Sequence, residues 1–159
     1  MATEIERKFL VDMDLWMALP KPEGELLLQG YICTDPERTV RIRIAGQRAW
    51  LTVKGITTGA SRTEIECGIP VGTAGELLSG FAQNRISKIR YKVPHGGRTW
   101  EVDVFLEENE GLIVAELELE SEDASFALPE WVRAEVTGER RYYNAVLSRH
   151  PFKDWTAEK

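Results

Sequence analysis

Several things that would have narrowed the chemistry are scarce in this sequence. Cysteine occurs twice, at Cys33 and Cys67, and histidine twice, at His95 and His150. Two cysteines make no disulfide framework, so a reducing, cytoplasmic setting is expected. With two distant histidines they make no Cys/His zinc site either. No apolar run approaches the roughly 20 residues of a membrane span. The start, Met1-Ala2-Thr3-Glu4, lacks the basic and apolar regions of a signal peptide, so no membrane partner is expected. A cationic excess is missing as well. The chain has 20 Lys+Arg against 26 Asp+Glu, a net charge of -6, and general nucleic-acid binders usually show the opposite balance. No GxxxxGK[ST] phosphate loop occurs, which excludes the nucleotide-binding folds built on it. Linkers, low-complexity tracts and solenoid repeats are also missing.

What remains is 159 residues, 43% hydrophobic and 29% charged. That fits one domain over 1–159, folding around its own core without a disulfide or metal. Turn signals recur at Pro20 to Gly24, Asp35-Pro36, Ala45-Gly46, Gly55 to Gly59, Pro94 to Gly97 and Glu108 to Gly111. Between them lie runs of period-two alternation, which predict strands over 3–11, 26–33, 39–45, 48–54, 62–69, 86–93, 98–106 and 112–121. The short connections predict antiparallel hairpins. Helices are expected over 12–19, over 73–83 with Thr73 as N-cap and Glu76 three residues on, and over 139–149. The 73–83 helix is expected to cover or plug one end of the strand assembly.

The strand faces carry the information. Side chains two apart point the same way, so Glu4, Glu6 and Lys8 share a face. So do Arg41 and Arg43, Thr52 and Lys54, Glu64 and Glu66, Lys88, Arg90 and Lys92, Glu101 and Asp103, and Glu116, Glu118 and Glu120. The opposite faces are apolar, with Ile5 and Phe9, Val40, Ile42 and Ile44, Ile65 and Ile69, and Leu117 and Leu119. A half-buried sheet with one solvated face would alternate in this way too. Solvated faces, however, mix Thr, Ser and Gln with charge. These are nearly pure charge, sorted by sign from strand to strand, and like charges on neighbouring positions repel.

A closed eight-stranded barrel with its charged faces inward resolves this. Such a barrel is just wide enough for side chains or one small ligand. The predicted class is α+β, predominantly antiparallel β, with a charged tunnel and a few flanking helices. Its outward apolar faces need cover from helices, loops or a second subunit, so a homodimer is an expectation. Arginine forks match phosphate oxygens bidentately and lysines add point charge. Carboxylates in the same cavity would repel that anion unless a hard divalent cation stands between them. The lining thus reads as a polyphosphate site with one or two metal ions.

These residues resemble the triphosphate tunnel metalloenzymes, the CYTH superfamily. Glu4-Ile5-Glu6-Arg7-Lys8 is similar to that family's ExExK motif. Arg41-Ile42-Arg43, Leu51 to Lys54, Glu64-Ile65-Glu66, Lys88 to Tyr91, Glu101 to Phe105 and Ala115 to Leu119 follow in the family's order, and the similarity runs from residue 3 to about 147. The resemblance implies an eight-stranded antiparallel tunnel that binds a triphosphate with Mg²⁺ or Mn²⁺. It implies triphosphate contacts at Lys8, Arg41, Arg43, Lys54, Lys88 and Arg90. It implies metal binding and water activation at Glu4, Glu6, Asp103, Glu116 and Glu118, with Glu118, Lys8 and Lys88 in the catalytic step. Glu64, Glu66 and Glu101 match tunnel carboxylates. Tyr31 could place a hydroxyl in the tunnel or pack, and Arg141 stands near a basic position of some relatives.

The expected reaction is hydrolysis of a terminal phosphoryl group. The short chain looks most like the bacterial inorganic tripolyphosphatases. Adenylate cyclases of the same fold and thiamine triphosphatases are the enzymatic alternatives, and a non-catalytic polyphosphate- or nucleotide-binding module is the alternative of another class. A thiamine enzyme would need an aromatic platform at the tunnel mouth, for which Trp16, Trp50, Trp100 and Trp131 are the candidates.

Overall fold

Hairpin follows hairpin until the first and fifth strands meet and close a barrel. The computed structural model describes residues 2–155. Its strands are β1 (Ala2–Val11), β2 (Glu25–Cys33), β3 (Thr39–Ala45), β4 (Arg48–Lys54), β5 (Ser61–Ile69), β6 (Asn84–His95), β7 (Arg98–Phe105), β8 (Ile113–Glu118) and β9 (Val132–Glu135). The helices are α1 (Met13–Ala18), α2 (Val71–Gly80) and α3 (Asn144–Leu147), with 3-10 turns at Glu107–Asn109, Arg140–Tyr142 and Phe152–Asp154. The strand order is β5-β4-β3-β2-β6-β7-β8-β1-β9, all antiparallel, and β5 also pairs with β1. Eight strands therefore form the closed barrel. One edge of β1 serves two partners, β5 along Ala2 to Ile5 and β9 from Phe9 onward.

Local chemistry explains the turns. The two-residue loop between β6 and β7 puts both Gly96 and Gly97 at positive φ, 59° and 76°, as a hairpin turn matched to strand twist requires. Gly30 in β2 serves packing: a Cβ there would lie 2.7 Å from Leu78 and 2.9 Å from Ala82, so glycine lets α2 seat on the barrel wall. Asp12 caps α1 by accepting from the Leu15 amide at 2.9 Å.

Apolar strand faces point outward and are covered in patches. Phe9, Trp100, Val102, Ala115, Leu117 and Leu119 are buried beneath Trp16 of α1 and Phe126, Trp131 and Val132 of the segment after β8. Trp100 is fully buried and in ring contact with Phe9, Phe126 and Trp131 at 5.5–6.0 Å. Trp100→Ala should therefore lower the unfolding free energy by about 3–5 kcal/mol, read from urea denaturation. A second patch, Ile42 and Ala49, is covered by Ala74 and Leu78 of α2. On β2, Leu26, Leu28 and Ile32 stay 39–50% exposed.

Several expectations are corrected. The helix over 73–83 begins two residues earlier, at Val71, with Pro70 at the cap and no side-chain cap bond, so Thr73 is not the N-cap. It lies on the outer wall rather than across an end. The chain's end does the plugging instead. The inward rows of β1, β6, β7 and β8 pass from charge to Leu10, Ile86, Phe105 and Val114. These pack with Val136, Tyr142, Leu147, Phe152 and Trp155 into an apolar floor. The continuous helix over 139–149 is split into a 3-10 turn and the single turn α3, because Tyr142 and Leu147 must both reach that floor. Strand β9 lay outside the sequence reading altogether.

Candidate active site

The parity of the strands carries through to the cavity. One polar cavity of about 270 Å³ occupies the barrel above the floor. It is lined by Lys8, Arg41, Arg43, Lys54, Lys88 and Arg90, by Glu4, Glu6, Glu64, Glu66, Glu101, Glu116 and Glu118, and by Tyr31. All six expected phosphate contacts are thus brought together with seven of the eight expected carboxylates. The eighth, Asp103, sits fully buried behind them, where Lys88 Nζ stands 2.7 Å away and Arg90 donates to both oxygens at 2.8 Å.

Two residues of the inferred rows fall elsewhere. Lys92 is exposed on the rim, and Glu120 pairs with Arg98 on the outside at 3.0 Å. Beyond one strand length the barrel curves away, and parity no longer guarantees a place inside. Arg141 is in the closing segment, its guanidinium 4.4 Å from the Trp155 ring and 5.1 Å from the Tyr142 ring, and it does not line the cavity. Of the candidate aromatic platforms, Trp16, Trp100 and Trp131 pack in the outer cluster. Trp50 is half-buried with the Arg48 guanidinium 5.2 Å from its ring. Tyr31 is buried with its hydroxyl 3.5 Å from Gln29 Nε2.

Tunnel cations differ in what already holds them. Arg90 is spent on Asp103, on Glu116 at 3.0 Å and on Glu101 at 3.3 Å. Lys54 pairs with Glu4 at 3.0 Å and Glu64 at 3.5 Å, and Lys8 with Glu116 at 3.5 Å. Arg41 has a longer contact of 3.6 Å to Glu66, and its buried Nε has no partner among the described residues. An unpaired buried guanidinium donor is a standing site for an anion. Arg43 forms no ion pair among the described residues and donates its Nε to Gln29 Oε1 at 2.9 Å. Arg62 is the same kind of cation. It lines the cavity and, among the described residues, donates only to the Gly55 carbonyl at 3.2 Å and the Thr39 hydroxyl at 3.4 Å.

Burial and neighbours sort the titrations. Burial presses Arg43 down to about 10, with Arg41 and Arg90 adding repulsion. Burial also brings Lys88 down to about 7, with Asp103 opposing and the nearby Arg90 and Arg43 adding repulsion. On the acidic side, burial together with Glu116 and Glu4 pushes Glu6 up to about 8. Burial, Glu4 and Glu101 raise Glu118. Glu116 is the contrast: burial opposes its ionisation, yet Lys8 and Arg90 hold it down at about 2. Asp103 is likewise held well below the carboxylate range by Arg90 and Lys88 against the effect of burial.

The sequence reading missed Arg62, Gln29, Asn144, Thr39 and Tyr143. Arg62 shares parity with Glu64 and Glu66 and could have been found there. Asn144 and Tyr143 come from the plug, which carries no strand periodicity.

A CYTH domain model matches residues 2–144. The chain belongs to the CYTH family. It is 48% identical over 156 residues to an inorganic triphosphatase of Acetivibrio thermocellus, covering 98% of this chain and 99% of that one. It is 38% identical over 155 residues to an inorganic triphosphatase of Nitrosomonas europaea, covering 92% and 97%. A crystal structure of an inorganic triphosphatase superposes with a TM-score of 0.64 at 35% identity, over 93% of this chain and 95% of that one. No helix among the described residues of this CYTH chain is long and apolar enough to cross a membrane.

Among those residues, no three carboxylates, histidines or cysteines converge tightly enough to hold an ion on their own. The donor set nevertheless fits a hard divalent cation that shares its shell with phosphate. Glu4, Glu6 and Glu118 are oxygen donors, and the upward pressure on the Glu6 and Glu118 carboxyls marks crowded negative charge that a divalent ion would relieve.

Proposed function

We propose that this chain hydrolyses inorganic tripolyphosphate inside the barrel, with Mg²⁺ or Mn²⁺ as its cofactor. The observation that carries the reading is the division of the tunnel. One wall presents Arg41, with a buried Nε unpartnered among the described residues, and Arg43, with no carboxylate partner among them. The other presents Glu4 and, repelled by it, Glu6 and Glu118. An anion of several phosphates satisfies the first wall. The relatives named as inorganic triphosphatases match almost the whole length of the chain.

Arg41, Arg43, Lys8, Lys54 and Lys88 bind and neutralise the phosphate oxygens and the departing diphosphate. Glu4, Glu6 and Glu118, with Glu116, would hold the metal. Held there, a divalent ion would supply Lewis acidity at phosphate oxygens. Asp103 is committed to Lys88 and Arg90, so its part is to set those two cations. Water attacks the terminal phosphorus, the bond to the bridging oxygen breaks, and orthophosphate and diphosphate leave. Glu118 takes the water's proton. Its raised pKa suits that role better than Glu116, which is held near 2. Positioning and charge stabilisation provide most of the acceleration in phosphoryl transfer.

The deciding experiment is phosphate release from tripolyphosphate, thiamine triphosphate and ATP, each with Mg²⁺, Mn²⁺ or EDTA, with cyclic AMP measured in parallel. Metal-dependent release favouring tripolyphosphate, lost in a folded Glu118→Gln variant, is the expected result. Cyclic AMP formation would replace the reaction. Tight binding without turnover would make the protein a sensor.

A further inference from the structure

Asn144 is the first residue of α3, in the segment that plugs the barrel. Its Oδ1 accepts from Lys88 Nζ at 2.8 Å and from Gln29 Nε2 at 3.2 Å. The Gln29 Oε1 in turn accepts from Arg43 Nε at 2.9 Å. Below about pH 7, where Lys88 is an ammonium, both ends of this chain can only donate, since Arg43 is a guanidinium. Lys88 therefore demands the oxygen of Asn144, and that oxygen demands the NH₂ of Gln29. The remaining oxygen of Gln29 then faces Arg43. The orientation of both amides follows from the two cations alone.

We infer that Asn144 is a positioning residue for two phosphate-binding cations, Lys88 directly and Arg43 through Gln29. The inference rests on the triphosphatase reading for its consequence but not for its geometry. Lys88 and Gln29 are each 1% exposed, so water does not compete for these bonds. Asp103 and Asn144 take two of the three Lys88 donors, leaving one for a phosphate oxygen. For Arg43, the Gln29 bond uses only Nε. It fixes the guanidinium plane while leaving the terminal NH₂ pair for bidentate contact with phosphate. A neutral relay has a particular advantage here. A carboxylate in the same place would cancel the charge that the anion needs, whereas an amide orients the cations and leaves them cationic. The plug thus reaches into the chemistry of the site through one side chain.

The test compares wild type with Asn144→Ala, Asn144→Ser, Gln29→Leu and Asn144→Asp. It uses tripolyphosphate kinetics, thermal midpoints and the ¹⁵N–¹H resonance of Arg43 Nε, which is assigned by its disappearance in Arg43→Lys. Loss of one hydrogen bond to a charged group corresponds to about a 10- to 100-fold fall in kcat/KM, and that fall is expected for Asn144→Ala and Gln29→Leu. The Arg43 Nε–H signal should broaden or shift in both. The Asn144→Ala, Gln29→Leu double variant should lose no more than about twofold beyond the worse single variant, because one relay is cut twice. Asn144→Asp, which keeps an oxygen acceptor, should restore the Arg43 signal. An unchanged Arg43 signal in folded Asn144→Ala overturns the relay, and so does multiplicative loss in the double variant. A changed signal with kcat/KM within twofold of wild type overturns the positioning role. Asn144→Ser serves the same comparisons if the alanine variant does not fold. Should wild type turn over no tripolyphosphate, the functional reading fails, and the resonance arm still decides whether the relay exists.

Discussion

Arg90→Leu should destabilise the free protein by about 3–5 kcal/mol, while Arg43→Leu leaves stability unchanged or raises it and abolishes turnover instead. Both residues are tunnel arginines two positions along their strands from another cation, and the sequence treats them alike. The structure does not. Arg90 holds Asp103 with two bonds at 2.8 Å and Glu116 at 3.0 Å, deep in the barrel. Removing it leaves buried carboxylates short of a counter-charge, which is the costly way to break an ion pair. Arg43 has no such partner among the described residues, and burial already presses its pKa down to about 10. Its guanidinium is strained by its surroundings until an anion arrives. Loss of such a group should reduce kcat/KM for tripolyphosphate by about 100-fold or more, since one preorganised donor to a developing charge is worth that much. Urea denaturation in metal-free, substrate-free buffer, paired with phosphate-release kinetics, checks both halves. Equal losses of stability in the two variants would contradict this division of labour.

Glu6→Gln should make the metal-free protein more stable and the enzyme inactive. Burial, Glu116 and Glu4 push Glu6 up to about 8 from an ordinary carboxylate value of 4.5. The folded state therefore binds a proton that the unfolded state has lost, from roughly pH 4.5 to pH 8, and stability falls as pH rises through that window. It is fully present below the window and levels off above it. Glutamine removes this dependence. Because Glu6 is half-buried and water screens part of the repulsion, the gain at pH 8 should be on the order of 2–3 kcal/mol. At pH 5 it should nearly vanish. Thermal or urea unfolding of both proteins in EDTA between pH 5 and 9 measures it. A gain that is flat across that range would mean the carboxyl is not held protonated. Such a trade of stability for function is what a repelling carboxylate pair implies when its purpose is to receive a divalent cation.

Much of this site was legible before the fold was known. Alternation is a property of the chain itself, so Glu4, Glu6 and Lys8 had to share a face, as did Arg41 with Arg43 and Lys88 with Arg90. Charge of segregated sign on those faces has few homes other than a closed tunnel. Arg62 was legible by the same rule, two residues before Glu64. Asn144 was not, because the plug has neither the period of a strand nor that of a long helix. Its place is set by Tyr142, Leu147 and Trp155 finding the apolar floor.

By itself, then, the sequence determined the strands, their two faces and the chemical character of the tunnel, because period-two geometry and side-chain charge are local. Only the tertiary structure decided which end of the barrel is closed, that Lys92 and Glu120 lie outside, that Asp103 is spent on Lys88 and Arg90, and that Arg41 and Arg43 keep donors in reserve. Each of these depends on the register in which distant strands meet, and one residue of slip would exchange every inward side chain for an outward one.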